Sequence, residues 1–178
     1  MATVIDGLIH RQEEILAFLK ESGELSLALE FESNLKKLLV MACGSYFESE
    51  VISWLEQYSS ENAEPRLCSL IRNKALKRQY FTMFDFEAGT NANRFWGLFG
   101  ADFKESVSRE ISQDQTHERA IRDFLKLGLE RNLLAHANLA AATVDLTLEE
   151  VKQMYMRASM FIDLVKAKFP CGSLEPKE

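Results

Sequence analysis

Three polar side chains stand close together in the stretch LERNLLAHAN, residues 129–138, which is otherwise rich in apolar residues. Arg131 carries a guanidinium that stays charged and presents a planar fork of donors suited to phosphoryl oxygens. His136 carries an imidazole, the side chain that exchanges protons near neutral pH and therefore suits general acid–base catalysis. Asn132 adds an amide beside the arginine. These residue types are suited to chemistry at a phosphate group.

The spacing of Arg131 and His136 raises a geometric problem. At about 100° per residue of helix, Arg131 and His136 point roughly 140° apart, so they diverge on one helix. With Arg131 as zero, Asn132 at about 100° and His136 at about 140° fall within the apolar stripe. The leucines on the other side are Leu127, Leu133 and Leu134. A helix that is apolar nearly all round belongs at the centre of a bundle or between two subunits.

A purely structural interpretation fits the same residues. Asn132 and His136 lie four residues apart and would form a hydrogen-bonded pair in the core. Arg131, at the border of the stripe, would pair with a carboxylate. On the residues alone, a structural network and a functional site both stay open.

The elements that carry these residues are predicted to be helices, since apolar residues recur at three- and four-residue spacing without alternating β-branched runs. The predicted helices run from Ile5 to about Lys20, from about Leu29 through Tyr58, from Pro65 to about Phe84, through ADFKESVSREI, from about Thr116 to His136 or Ala137, and from a capping box at Thr147 and Glu150 to about Phe169. The sequence therefore predicts an all-α fold, a compact bundle of about five to six helices. Gly128 is expected to let another backbone approach the motif helix closely.

Length and composition predict one domain over residues 1–178, with a frayed tail at about residues 171–178. Lys and Arg total 21 against 27 Asp and Glu, and this net charge of −6 argues against nucleic-acid binding through the overall field, while a local basic patch stays open. Three cysteines without CxxC spacing and three scattered histidines predict no disulfide framework, no metal site and no cofactor. We expect a cytoplasmic protein without a membrane span.

The hexapeptide RNLLAH, with an asparagine directly after the arginine, resembles the R-x4-6-H signature of the HEPN superfamily. It falls in the penultimate long helix, before a loop and a final helix, as in that family. The stretch ACGSYFESEVISWL looks like the long early helix of the RiboL-PSP-like branch, where a glutamate follows an aromatic residue, and TNANRFWGLFGADF is similar to its asparagine-containing connection. The resemblance runs from about Leu29 to Phe169. Some relatives carry a tyrosine where this chain has Asn138, so regulation by modification of that tyrosine is not expected.

The resemblance implies a function, because many HEPN proteins are metal-independent ribonucleases of toxin and antiviral systems. HEPN domains typically pair around a two-fold axis, so Arg131 and His136 of both chains would meet in the cleft of a homodimer. The 2′-OH of RNA would attack the adjacent phosphorus, with His136 transferring protons and Arg131 stabilising phosphoryl charge. Asn132 would orient the histidine or the phosphate. Glu48 is a candidate partner that steers Arg131 or His136, and an exposed helix carboxylate is an equally good interpretation of it.

Two further groups of residues are candidate contacts to RNA. The charged side chains of the stretch RNKALKR are Arg72, Lys74, Lys77 and Arg78. They would line an RNA groove, although a solvated helix face is the simpler interpretation. Asn91 and Asn93 would contact phosphate or, as we favour, cap the helix that follows.

The alternative function is a non-catalytic HEPN-type module. Such a module would bind a nucleotide, RNA or a protein partner and would retain the motif for structure. An intact motif favours the ribonuclease, whereas the acidic chain favours the binding module. An antitoxin or another defence-system protein is a candidate partner for either.

Overall fold

The computed structural model describes residues 2–76, 79–87 and 89–172, which form eight α-helices and no strand. The helices are α1 Val4–Glu21, α2 Leu25–Asn62, α3 Pro65–Ile71, α4 Tyr80–Met83, α5 Asn93–Gly97, α6 Ala101–Ile111, α7 Gln115–His136 and α8 Leu148–Lys168. The all-α prediction is confirmed for these residues. The helices outnumber the five or six expected because α4 and α5 are only four and five residues long. Of the predicted frayed tail, residues 173–178 lie outside the described part.

Local sequence signals determine several helix ends. Thr147 and Glu150 form the predicted capping box at the start of α8, and Thr3 and Asp6 form another at α1. Gly23 lies between α1 and α2 with a φ of 76°, a conformation that glycine adopts readily. None of the described helices has the length and apolar character that a membrane span requires.

The helix predicted from Pro65 to about Phe84 is wrong beyond Ile71. α3 ends there and continues as a π-helical turn, Arg72–Leu76, and α4 adds a single helical turn later. Phe84 takes an extended conformation, so that its ring and that of Phe86 both reach the core. Tertiary packing of these aromatic rings therefore overrides the helical pattern of the segment.

The centre of the bundle is formed by α2, α7 and α8. Phe47 of α2, Phe124 of α7 and Phe161 of α8 are fully buried. The ring centroid of Phe124 lies 5.7 Å from that of Phe47 and 4.6 Å from that of Phe161. Aromatic contacts at these distances fix α7 against both neighbours. They hold in place the helix that carries the RNLLAH motif.

The motif helix is buried on two sides, with Leu125 and Leu134 both in the core. The prediction that Asn132 and His136 lie in a buried stripe is wrong for His136, which is exposed, while Asn132 is half-buried. His136 is the last residue of α7. A helical projection gives a direction around the axis and carries no information on which elements cover that direction.

Gly128 accommodates a side chain and not the expected backbone. A methyl group built on Gly128 would lie 2.2 Å from the ring of Phe86. The Phe86 ring therefore occupies the space beside α7 that the missing side chain leaves open. The glycine serves the packing of the core.

Candidate active site

The aliphatic stem of Arg131 lies directly against the backbone of α2 at Gly44. A methyl group on Gly44 would lie 2.7 Å from Cγ and 2.9 Å from Cβ of Arg131. These distances are too short for carbon atoms, so only a residue without a side chain admits the arginine here. Glycine inside a helix destabilises it by about 0.5–1 kcal/mol relative to alanine. Residue 44 is thus a glycine because a side chain there would occupy the space of the Arg131 stem.

The guanidinium of Arg131 is oriented mainly by packing. Its Cζ atom lies 4.4 Å from the centre of the Phe81 ring, a cation–π geometry. Its Nη2 atom lies 3.5 Å from Oε2 of Glu48, and Nη1 lies 3.4 Å from Oδ1 of Asn132. Both hydrogen bonds are long beside the usual distance of about 2.9–3.0 Å. The charged head is therefore placed without being saturated by strong bonds.

One N–H donor of this guanidinium has no hydrogen-bond acceptor among the described residues. The Nε atom of Arg131 is buried, and no acceptor within the described residues lies at hydrogen-bond distance from it. A buried donor without a partner destabilises the fold by about 1–3 kcal/mol. An anionic ligand at the guanidinium would find donors that the protein itself leaves weakly bonded.

Tyr80 completes the surroundings of the arginine. Burial raises the pKa of Tyr80, and the carboxylate of Glu48 raises it further, while the charge of Arg131 opposes the shift. The hydroxyl therefore keeps its proton and adds no charge beside the guanidinium. We call this group the Arg131 cluster, and its members are Gly44, Glu48, Tyr80, Phe81, Arg131 and Asn132.

His136 has a very different setting at the last residue of α7. It is exposed, and within the described residues no hydrogen bond, ion pair or ring contact joins its imidazole to another side chain. Five residues of helix separate it from Arg131, a rise of about 7.5 Å with roughly 140° of rotation. The guanidinium and the imidazole therefore point to different sides of one chain, as the spacing predicted.

Two exposed leucines, Leu133 and Leu139, each lie three residues from the histidine in the sequence. Leu133 is 57% exposed and Leu139 is 51% exposed, and Leu38 of α2 is also exposed. The side chain of Lys37 donates to the carbonyl oxygen of Leu139 at 3.2 Å, which ties the loop after α7 to α2. The open end of α7 therefore presents exposed apolar side chains near His136. We call Leu38, Leu133 and Leu139 the leucine surface.

The asparagines of the connecting segment lie at the start of α5, away from the Arg131 cluster, and the N-cap residue of that helix is Ala92, which forms no side-chain cap. The backbone N–H of Asn93 donates to Oδ1 of Asn91 at 3.0 Å, and the hydroxyl of Ser108 donates to Oδ1 of Asn93 at 2.7 Å. Both asparagines line a cavity of about 360 Å³ that also includes Ile121 of α7. Ile121 lies ten residues before Arg131, about 15 Å along the helix.

Arg72 of the candidate basic stretch lies apart from the Arg131 cluster as well. Arg72 is exposed and its Nε atom lies 3.3 Å from Oε1 of Glu56. Lys74 is exposed on the π-helical turn, and Lys77 and Arg78 lie outside the described residues. Glu56 follows Glu48 by eight residues, about 12 Å along α2.

Metal ligands were not expected from the sequence. Across the described ranges, no group of three His, Cys, Asp or Glu side chains is arranged to hold a metal ion. The groups that the fold does bring together are a guanidinium, a carboxylate and an amide around Arg131, with an imidazole at the end of the same helix.

Sequence reasoning missed Gly44, Tyr80 and Phe81. A signal existed for Gly44, because a glycine in the middle of a long helix calls for an explanation. Tyr80 and Phe81 gave no signal, since their position depends on the turn between α3 and α4. The structure brings Glu48, one of the candidate residues, to 3.5 Å from the guanidinium of Arg131.

The comparison with known families agrees with the all-α fold, since a HEPN domain is a helical protein. Residues 6–169 match the model of the RiboL-PSP-HEPN family, which is nearly the whole chain, and the protein belongs to this family. The predicted HEPN membership is thereby confirmed. Neither a curated protein nor a solved structure matches the chain.

Proposed function

We propose that the protein is a metal-independent endoribonuclease of the toxin or antiviral-defence type. The observation that carries the proposal is the Arg131 guanidinium, which is oriented by Phe81 and Gly44 while its donors stay weakly bonded. An exposed imidazole lies at the end of the same helix. Membership of the HEPN family supports RNA as the substrate, because HEPN domains are commonly ribonucleases although some members are non-catalytic.

The reaction follows from the residue types. The 2′-OH of one nucleotide attacks the adjacent phosphorus while a neutral imidazole of His136 accepts its proton. The bond from phosphorus to the 5′-oxygen breaks, and that oxygen takes a proton from an imidazolium. The Arg131 guanidinium stabilises the negative charge that grows on the phosphoryl oxygens. The products are a 2′,3′-cyclic phosphate and a 5′-hydroxyl, so no external reactant is needed.

A homodimer would bring the two groups together. In an isologous interface, residues that diverge on one helix converge across the two-fold axis. The leucine surface adjoins His136, and burying a leucine side chain contributes about 1.5–3 kcal/mol. We therefore place the dimer contact at the open end of α7, with one histidine as base and the other as acid.

Cleavage of RNA in excess chelator tests the proposal. His136→Ala and Arg131→Ala should each lower the rate by about 10² or more. His10→Ala is the matched control, because this exposed histidine of α1 lies only 3.5 Å from Glu14 and belongs to no cluster described above. Cleavage that survives His136→Ala, or that chelator abolishes and magnesium restores, would contradict the mechanism.

The alternative is a non-catalytic HEPN module that binds RNA, a nucleotide or a protein. One observation favours it, since His136 has no side-chain partner among the described residues and is therefore not oriented within one chain. Expression of the protein in cells separates the two functions. Growth arrest that His136→Ala relieves supports the ribonuclease, whereas identical growth with both proteins supports the binding module.

A further inference from the structure

A second feature lies at the opposite end of α7. A groove of about 600 Å³ opens beside the first two turns of this helix, next to α8. Three arginines line it, and Arg119 and Arg122 of α7 are exposed while Arg157 of α8 is half-buried. The other lining residues are Gln115, Thr116 and Glu118. We call this feature the basic groove.

The charge of the basic groove is only partly balanced. Arg157 forms an ion pair with Asp123 of α7. Within the described residues, no carboxylate lies at ion-pair distance from Arg119 or Arg122. Glu118 is the one carboxylate among the described residues that line the groove, and two guanidinium groups without an ion-pair partner are unexpected in a chain with a net charge of −6. Guanidinium forks favour phosphate oxygens, so the groove has the chemistry of a phosphate site.

The groove continues into a surface of uncharged polar groups. Glu118 and Arg122 also line the cavity of about 360 Å³ that contains Asn91 and Asn93. The hydroxyl-bearing residues of that cavity are Thr90, Ser108 and Ser112. Amides and hydroxyls beside arginines suit the sugars and phosphates of a nucleic acid strand.

The position of the groove relates it to His136. Arg122 and His136 are 14 residues apart, nearly four helical turns, so they point within about 40° of each other around the axis. The distance along the axis is about 21 Å. Lys126 and Leu133 lie between them and are also exposed. One face of α7 thus carries exposed side chains from the arginines to the histidine, with the partly buried Leu129 between them.

We propose that the basic groove is a second phosphate-binding site for a single strand of RNA whose scissile phosphate lies at His136. The inference rests on the proposed function and deepens it. A stacked strand advances about 3.4 Å per nucleotide, so the two sites are about six nucleotides apart. A strand reaches both sites, and a mononucleotide does not. The substrate is therefore an RNA of at least this length, bound along α7.

Binding of a labelled 20-nucleotide single-stranded RNA to the His136→Ala protein, followed by fluorescence anisotropy, tests the inference. Adding Arg119→Gln and Arg122→Gln should weaken binding about tenfold. The slope of log affinity against log salt should fall by about 1.4, since each contact to a single-strand phosphate contributes about 0.7. The control adds Arg11→Gln and Lys20→Gln, which remove the same charge from α1 and should leave the slope unchanged.

Several outcomes would overturn the inference. Equal affinity and equal salt slope in the two multiple variants would remove the groove from the RNA path. A four-nucleotide RNA that loses as much affinity as the 20-nucleotide RNA would contradict the separation of the two sites. Displacement of the RNA by ATP, abolished by Arg119→Gln and Arg122→Gln, would assign the groove to a free nucleotide.

The readout also separates this inference from the proposed function. RNA cleavage by the wild-type protein, with unchanged binding after Arg119→Gln and Arg122→Gln, would overturn the groove alone. Binding that depends on these arginines, in a protein that does not cleave RNA, would overturn the endoribonuclease and support RNA binding at the groove.

Discussion

Arg131 and His136 share one helix, and their surroundings differ in almost every respect. The arginine side chain is 20% exposed, lies on Gly44, is covered by Phe81 and approaches Glu48. The histidine is exposed at the last residue of α7 and forms no hydrogen bond, ion pair or ring contact with another side chain in the described part of the chain. One group is held by the fold of a single chain, and the other is not.

This difference indicates which part of the proposed chemistry one chain prepares by itself. A guanidinium that is already oriented stabilises developing charge without reorganisation, which is the main source of electrostatic catalysis. An exposed imidazole rotates freely, and proton transfer requires that it be placed within about 3 Å of the proton it takes. The placement of His136 must then come from a second copy of the chain or from the bound RNA.

The largest predicted effect compares the two residues directly. Arg131→Ala and His136→Ala should each lower RNA cleavage by about 10² or more. Only Arg131→Ala should also lower stability, by about 1–2 kcal/mol, because it removes the stem on Gly44 and the contact with Phe81. In a thermal melt this corresponds to a fall of about 2–8 °C. A larger fall in melting temperature in His136→Ala than in Arg131→Ala would contradict the conclusion that the fold holds the arginine and not the histidine.

The next prediction tests whether Gly44 positions Arg131. Gly44→Ala places a methyl group 2.7 Å from Cγ of Arg131, so the arginine must move. We expect about a tenfold loss of cleavage, since a small misplacement of a catalytic group has effects of this order. The melting temperature should also fall, because overpacking costs about 1–3 kcal/mol and the gain of about 0.5–1 kcal/mol in helix propensity offsets only part of it.

Gly128→Ala is the matched control for this substitution. Its methyl group would meet the Phe86 ring at 2.2 Å, away from the Arg131 cluster. It should lower stability by about 1–3 kcal/mol through overpacking, without a tenfold loss of cleavage. Full activity in Gly44→Ala would show that the position of Arg131 does not depend on this glycine.

Sequence reasoning succeeded where the signal is local. The start of α8 follows from Thr147 and Glu150, and the bounds of α7 follow from its apolar spacing, because capping and amphipathic periodicity act within a few residues. The contact between Arg131 and Glu48 was one of two interpretations of the glutamate. It was found because an arginine that borders a core calls for a carboxylate.

Sequence reasoning failed where the structure depends on distant packing. The π-helical turn after Ile71 and the extended Phe84 exist because aromatic rings must reach the core from a short segment. The exposure of His136 depends on which elements pack against the end of α7. Neither is encoded in the residues nearby, and so Tyr80 and Phe81 could not be placed beside Arg131 in advance.

Stability at alkaline pH tests whether the fold buries the residues next to the Arg131 cluster. Burial raises the pKa of the Cys43 thiol, next to Gly44, from 9.0 to about 12. Between these values the unfolded chain has lost the proton that the folded chain keeps, so stability is full below pH 9 and falls as pH rises. The slope for one group is at most about 1.4 kcal/mol per pH unit. Burial also raises the pKa of Tyr80, which acts in the same direction above pH 10.

Urea unfolding at pH 8, 9.5 and 10.5 measures this dependence. Cys43→Ala should show a smaller decrease between pH 8 and 9.5 than the wild-type protein. His136→Ala should follow the wild-type curve, because this exposed side chain forms no hydrogen bond or ion pair with the described residues around Cys43. Identical curves for Cys43→Ala and the wild type would show that the thiol is not held by burial beside the Arg131 cluster.

The smallest predicted effect decides what holds the arginine. Arg131 and Glu48 lie 3.5 Å apart with 20% and 29% of their side chains exposed, and partly exposed ion pairs contribute only about 0–1 kcal/mol. Glu48→Gln keeps the shape and removes the charge, so the melting temperature should fall by less than about 4 °C. Cleavage should fall less than fivefold, about 1 kcal/mol, because Phe81 and Gly44 still position the guanidinium.

Two further variants are needed to interpret the effect of Glu48→Gln. Glu56→Gln removes the carboxylate of the neighbouring pair on α2, 3.3 Å from Arg72, and reports the effect of charge loss outside the Arg131 cluster. Phe81→Leu removes the ring that covers the guanidinium and should lower cleavage more than Glu48→Gln does. If Glu48→Gln instead abolishes cleavage as Arg131→Ala does, the carboxylate orients the arginine or acts on the RNA itself. The position of Arg131 would then depend mainly on the charge of Glu48, and the packing against Gly44 and Phe81 would be secondary.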